Sequence, residues 1–225
     1  MQIQSRIVLM KTKERIRLII GIIINAIVVC LVSYCLSTFI KYLVRGNPDI
    51  RFRYFTNISN LTVGAIAIFN IVFLVWSLIK KDIVFPKVLS IIKLVGLSMT
   101  TLTFFTVLFV IAPLTSYKEM YENVRFITHL VVPILVVVSY LFFEEKTLFE
   151  WKYSFFGAVP MVIYGMVYIP NVVFLKTWPD LYKINTHGLW FLFVILFCIA
   201  DLLVALGLYF LKRFVNKKLE HNTVE

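Results

Sequence analysis

Residues 18–43 read LIIGIIINAIVVCLVSYCLSTFIKYL, with no charge before Lys41. The hydrocarbon core of a bilayer takes about 20 apolar residues in a helix rising ~1.5 Å per residue. This run is long enough to cross it. It is too long for a strand, and an open sheet leaves edge groups that lipid cannot satisfy. Upstream stand Arg6, Lys11, Lys13, Arg15 and Arg17. A basic stretch before an apolar one also describes a signal peptide, but this run exceeds the ~7–15 residues of a signal core. No small-x-small site closes it. Leu31-Val32-Ser33-Tyr34-Cys35 loosely matches a lipoprotein cleavage box, except that bulky Tyr34 stands where a small residue is needed. The expectation is a retained helix.

Five similar runs follow, at about 54–79, 88–112, 126–143, 153–174 and 188–211. The predicted fold is therefore an all-α, polytopic bundle of six transmembrane helices, one domain over residues 1–225. Composition agrees. Of 225 residues 60% are hydrophobic, and mean hydropathy is +0.90. Soluble domains run nearer ~45–50% apolar. Six helices use most of the chain, so there is no room for a second, soluble domain.

The net charge of +11 would suggest nucleic acid on a soluble protein. Here the cations lie between apolar runs and at the ends, where they set topology and meet anionic headgroups. No nucleic-acid partner is expected; membrane lipids are. With the N-terminus inside, fourteen Lys and Arg fall on the inner side and eight on the outer. Both termini are thus predicted to be cytoplasmic. Cys30, Cys35 and Cys198 have no metal-ligand spacing and read as small apolar packing residues. No metal and no cofactor is expected.

In that topology several polar groups gather at the outer face. Helix two opens Thr56-Asn57-Ile58-Ser59-Asn60, and residues three and four apart share a helix face. Thr56, Ser59 and Asn60 form a stripe that Gly64 continues. The sequons at Asn57 and Asn60 lie at a helix mouth, a poor acceptor position. Helix four opens with Thr128-His129 and reaches Pro133. Helix five ends at Tyr168, Pro170 and Asn171. Asn185, Thr186 and His187 precede helix six. An ionisable residue within a span is a functional candidate, which singles out His129. Ser and Thr in membrane helices also bond their own backbone or a neighbouring helix. That is the reading of Thr100, Thr103 and Thr106, a stripe that otherwise could line a cavity. Asp201 is the deepest acid, and Lys93 lies at similar depth in helix three. A structural ion pair is the expectation; a proton relay is the sharper alternative.

A hydroxyl nucleophile needs a base within hydrogen-bond reach. If helices two and four are neighbours, His129 could take the proton of Thr56. Asn57, Ser59 or Asn60 could then steady an oxyanion. Arg51, Arg53 and Arg125 stand at the rim, where arginine can bind a carboxylate; the alternative is snorkelling. His187 is a further rim candidate.

Arg53-Tyr54-Phe55-Thr56-Asn57-Ile58-Ser59-Asn60-Leu61, followed by His129-Leu130-Val131-Val132-Pro133, resembles the androgen-induced gene / androgen-dependent TFPI-regulating protein family. The closer resemblance is to its bacterial six-pass branch. Trp178-Pro179-Asp180-Leu181 is similar to an aromatic-Pro segment found there. The resemblance covers the whole six-helix layout, though its motifs are short. It implies a membrane threonine hydrolase of fatty acid esters of hydroxy fatty acids, with Thr56 as nucleophile and His129 as base. It also implies a lipid substrate and, with the Ile-, Phe- and Lys-rich usage, a bacterial cytoplasmic membrane. The alternative is a non-catalytic protein: a small transporter, or a lipid-binding or assembly partner.

Overall fold

The computed structural model describes residues 2–45, 53–80, 86–144, 149–185 and 188–224, with side chains described between 12 and 219. Among these no strand occurs. Six helices are long and apolar enough to cross a membrane: α1 (Gln2–Val44), α2 (Phe55–Ile79), α3 (Lys87–Leu114), α4 (Asn123–Phe143), α5 (Trp151–Phe174) and α6 (Trp190–Val224). The chain is a multi-pass membrane protein. α1 and α6 run well past the predicted ends at 18 and 211. Lys, Arg and Glu are good helix formers, so the helix outlasts the apolar segment.

Burial is inverted relative to a soluble fold. Phe69, Phe109, Ile163, Met166, Leu196 and Leu203 are exposed, whereas Asn25, Asn70, Lys93, Glu144, Asp201 and Lys212 are buried. Lipid accepts the apolar surface, and the polar side chains must find each other. α3 is the central helix. In its most apolar stretch 56% of residues are buried, against 17% in α6. The core joins Val28 and Val32 of α1, Val63 and Ala67 of α2, Leu94 and Leu97 of α3, and Val132 and Val136 of α4.

Prolines shape three spans. A proline lacks the N–H and its ring clashes with the carbonyl four residues back. Before Pro113 and Pro133 the helix widens to a π turn, at Val107–Ile111 and Ile127–Val131. There the N–H groups of Ala112 and Val132 reach five residues back, to Val107 and Ile127. Before Pro160 it tightens instead to a 3₁₀ segment, Trp151–Ala158.

At the face holding the chain ends a polar network crosses the bundle. Lys93 is ion-paired with Glu144. Glu144 Oε1 accepts the Ser139 hydroxyl at 2.8 Å, and Asn25 Nδ2 donates to Ser139 Oγ at 2.9 Å. Asn70 donates to Asn25 Oδ1 at 3.2 Å. Lys212 Nζ donates to the carbonyls of Tyr140, Leu141 and Glu144 at 2.6, 3.3 and 3.3 Å. A cation there also meets the negative end of the α4 dipole.

This corrects the expected Lys93–Asp201 pair. Glu144, directly after the fourth apolar run, turns inward and takes Lys93. Asp201 lies instead beside Ser98, five residues further along α3 than Lys93.

Gly64 marks a close approach of α1 and α2. A Cβ there would lie 2.7 Å from Val32 Cγ1. Small residues at such crossings let membrane helices pack. Gly64→Leu should therefore force α1 off α2 and destabilise by about 1–3 kcal/mol, the usual cost of overpacking. Denaturation in mixed micelles measures this; an unchanged midpoint would show that the crossing is not tight.

Candidate functional site

The opposite face is organised around the start of α2. The first N–H groups of a helix have no partner within it. Here Phe55 N–H donates to the Tyr182 hydroxyl at 3.0 Å, and the Tyr164 hydroxyl donates to the Arg53 carbonyl at 2.6 Å. Both tyrosines are far away in sequence, so α5 and the loop before α6 fix where α2 begins. Burial pushes the Tyr182 phenol above its ordinary value, which keeps it neutral.

That loop is built by side chains. Asp180 accepts the N–H groups of Ile184 and Asn185 at 3.0 and 2.9 Å. The Tyr168 hydroxyl accepts Leu181 N–H at 2.8 Å. Trp178 meets the Tyr168 ring edge-on, and Arg53 stacks on Trp178 with its guanidinium carbon 5.0 Å from the ring centre.

Beneath the loop lies a pocket of about 60 Å³ bordered by α2, α3, α5 and α6. Its walls are mainly apolar, from Leu102, Met161, Phe193 and Phe197. Its hydroxyl-bearing lining residues are Thr56, Thr103, Thr106, Tyr164, Tyr168 and Tyr182. Drug-sized ligands occupy pockets of ~300–1,000 Å³, so this volume accepts a segment of an apolar chain and not a whole lipid. Gly165 opens onto it. A Cβ there would meet only Val194, at 3.7 Å.

Thr56 lies in this wall; His129 is not among the lining residues. His129 belongs to the π turn before Pro133, and its Nδ1 lies 2.8 Å from the Met120 carbonyl. A carbonyl only accepts, so Nδ1 carries the proton and the lone pair is on Nε2. No hydrogen bond between Thr56 and His129 is present among the described residues. Helices two and four are nevertheless neighbours. Asn60 Nδ2 donates to the Thr56 carbonyl at 2.7 Å and to the Thr128 carbonyl at 3.1 Å, one residue from His129.

The remaining candidates divide. Ser59 donates to the Thr56 carbonyl at 2.8 Å and lies 3.3 Å from Thr103 Oγ1. The donors of Ser59 and Asn60 thus hold backbone and not an oxyanion. Asn57 is buried. Arg125 donates to the Glu119 carbonyl at 3.1 Å, away from the pocket wall. Arg51 and His187 lie outside the described residues. Thr100 donates to the Gly96 carbonyl of its own helix at 2.9 Å and reaches the Ser59 carbonyl of α2 at 3.5 Å, whereas Thr103 and Thr106 line the pocket. Sequence reasoning missed Tyr164 and Tyr182. The only signal was four-residue spacing from Tyr168 for the first, and the place directly after Trp178-Pro179-Asp180-Leu181 for the second.

Among the described residues no cluster of three His, Cys, Asp or Glu could hold a metal, and the three cysteines are free thiols. No family model, curated protein or solved structure matches the chain.

Asn60 is the stitch between α2 and α4. Asn60→Ala leaves the Thr128 carbonyl without that donor. The expected loss is about 0.6–2 kcal/mol, the range of interhelical hydrogen bonds in membranes. Micellar unfolding tests it, and no loss would mean the stitch contributes nothing.

Proposed function

We propose that the chain is an intramembrane hydrolase of lipid esters, with Thr56 as nucleophile and His129 as general base. The observation that carries this reading is the place of Thr56: a hydroxyl-bearing side chain in the wall of an apolar pocket, on a helix held beside that of His129. An acyl chain reaches such a site laterally through the bilayer, since its own solvent is lipid.

The chemistry follows acyl transfer. Thr56 Oγ1 attacks the ester carbonyl carbon while His129 Nε2 takes its proton. The tetrahedral oxyanion collapses, and the leaving alkoxide receives that proton as the alcohol. Water, deprotonated by the same nitrogen, then releases the fatty acid and restores Thr56. The Met120 carbonyl keeps His129 in the tautomer this requires, the orienting role a carboxylate fills in serine hydrolases. Nε2 and Oγ1 must close on each other when substrate is bound; catalytic hydrogen bonds are often long in unliganded proteins. Arg53, stacked on Trp178, is the rim cation nearest in sequence to Thr56 and would pair with a substrate carboxylate. The site then faces the outer leaflet of a bacterial cytoplasmic membrane, given the Lys and Arg asymmetry.

A second reading, lipid binding without catalysis, is favoured by one observation: the donors of Ser59 and Asn60 are spent on backbone carbonyls. A fluorophosphonate probe separates the two. Wild type should label, and Thr56→Ala and His129→Ala of matched folding should not. An unlabelled, folded wild type rejects the hydrolase and leaves binding.

Filling the pocket tests its role separately. Gly165→Leu projects into open space and improves helix propensity, so folding should survive. Lipid association should weaken roughly tenfold, about 1.4 kcal/mol, read by competition with a fluorescent fatty acid. Unchanged affinity would place the lipid elsewhere.

A further inference from the structure

Asp201 is the one deep acid that the network at the chain-end face does not absorb. It is wholly buried, and neither carboxylate oxygen has a hydrogen-bond partner among the described residues. Three helices meet around it. Gly157 of α5 fixes the junction: a Cβ there would lie 2.3 Å from Ala205 Cβ, 3.3 Å from Ser98 Oγ and 3.7 Å from the Asp201 carbonyl. Ser98 and Thr101, three residues apart, occupy one face of α3. Ser98, beside the acid, gives its own proton to the Val95 carbonyl at 2.8 Å, which leaves its oxygen able to accept from a protonated Asp201. Thr101 Oγ1 is also buried without a partner.

Among the described residues no cation pairs with it. On α3, Lys93 is held by Glu144. On α6, Cys198 is a turn away, and Lys212 is committed to the end of α4. On α5 the titratable neighbours are Tyr153 and Tyr164, toward either end. α4 offers Tyr140 and Glu144 at the chain-end face. An ionised carboxylate without a partner is costly in such an interior. A carboxylic acid is not, because its O–H can donate to Ser98 Oγ. Phe197, one turn from Asp201 on the same helix, lines the pocket, which sets the acid below the pocket floor.

We propose that Asp201, set against Ser98 where α3, α5 and α6 meet, is an exchangeable proton-binding site within the bundle. The carboxylate takes one proton from hydronium, leaving water, and the new O–H donates to Ser98 Oγ; release is the reverse. The site is independent of the chemistry at Thr56.

The test uses the full chain in liposomes. Dicyclohexylcarbodiimide, a lipid-soluble reagent for protonated carboxyls, should label Asp201. Labelling should fall as pH rises and vanish in Asp201→Asn. Infrared difference spectra should show a protonated-carboxyl C=O band that bleaches on alkalinisation and is missing in Asp201→Asn. Should that variant not fold, Ser98→Ala keeps the acid and removes its acceptor, and the band should move to higher frequency. A band that persists unchanged at every pH would make Asp201 a fixed neutral structural acid and overturn the proposal. Protection from labelling by Na⁺ but not choline at constant pH would assign the site to sodium and overturn it too. So would a folded wild type with neither label nor band.

Discussion

In a bilayer the solvent offers no hydrogen bonds, so each polar group must be satisfied by the protein itself. The interior of this bundle follows from that constraint. Lys93 and Glu144, Asn25 and Ser139, Asn70 and Lys212 form one network because none can turn to water. Removing one partner from a buried ion pair costs ~3–5 kcal/mol, since the other charge is stranded. The network therefore ties α1, α2, α3, α4 and α6 at one face. The other face is left to tyrosine hydroxyls, which are weaker ties and leave room for a pocket.

The two faces thus differ in kind. At one, charge meets charge among closely packed spans. At the other, α2 starts under a loop whose own order depends on Asp180 and on edge-on rings. Thr56 is held there by backbone contacts from Ser59 and Asn60 to its carbonyl, which position its side chain without engaging it. Asn60 also donates to the Thr128 carbonyl, which ties α4 to α2 beside His129.

Hydropathy and length disclosed the six spans, because the apolar requirement of lipid acts on every residue of a crossing helix. Partners were less legible. The depth of Lys93 and Asp201 could be read from the chain, but the direction each side chain faces depends on helix rotation, which no single run encodes. Glu144 directly follows an apolar run, where a solvated charge is usual, yet points inward to Lys93. Thr56 and His129 were legible as polar residues at helix starts. The pocket was not, since it is made by Leu102, Met161, Gly165 and Phe197, ordinary apolar residues whose convergence is a property of packing. The tyrosines that hold α2 act across more than a hundred residues, beyond any local pattern.

The π turn that carries His129 has one further implication. Such a turn amounts to a single residue more than an α-helix needs. Each residue of an α-helix turns the chain by about 100°. Removing one residue between Ile127 and Val131 would restore regular geometry and rotate everything before it relative to everything after. His129 and Met120 would swing to another side of α4, while Val132, Val136 and Tyr140 kept their core contacts. The bundle and the placement of the imidazole are therefore separable by one residue of length. This fold can be kept while the facing of its histidine is changed, and a chain that lacks the extra residue would share the architecture without sharing the site.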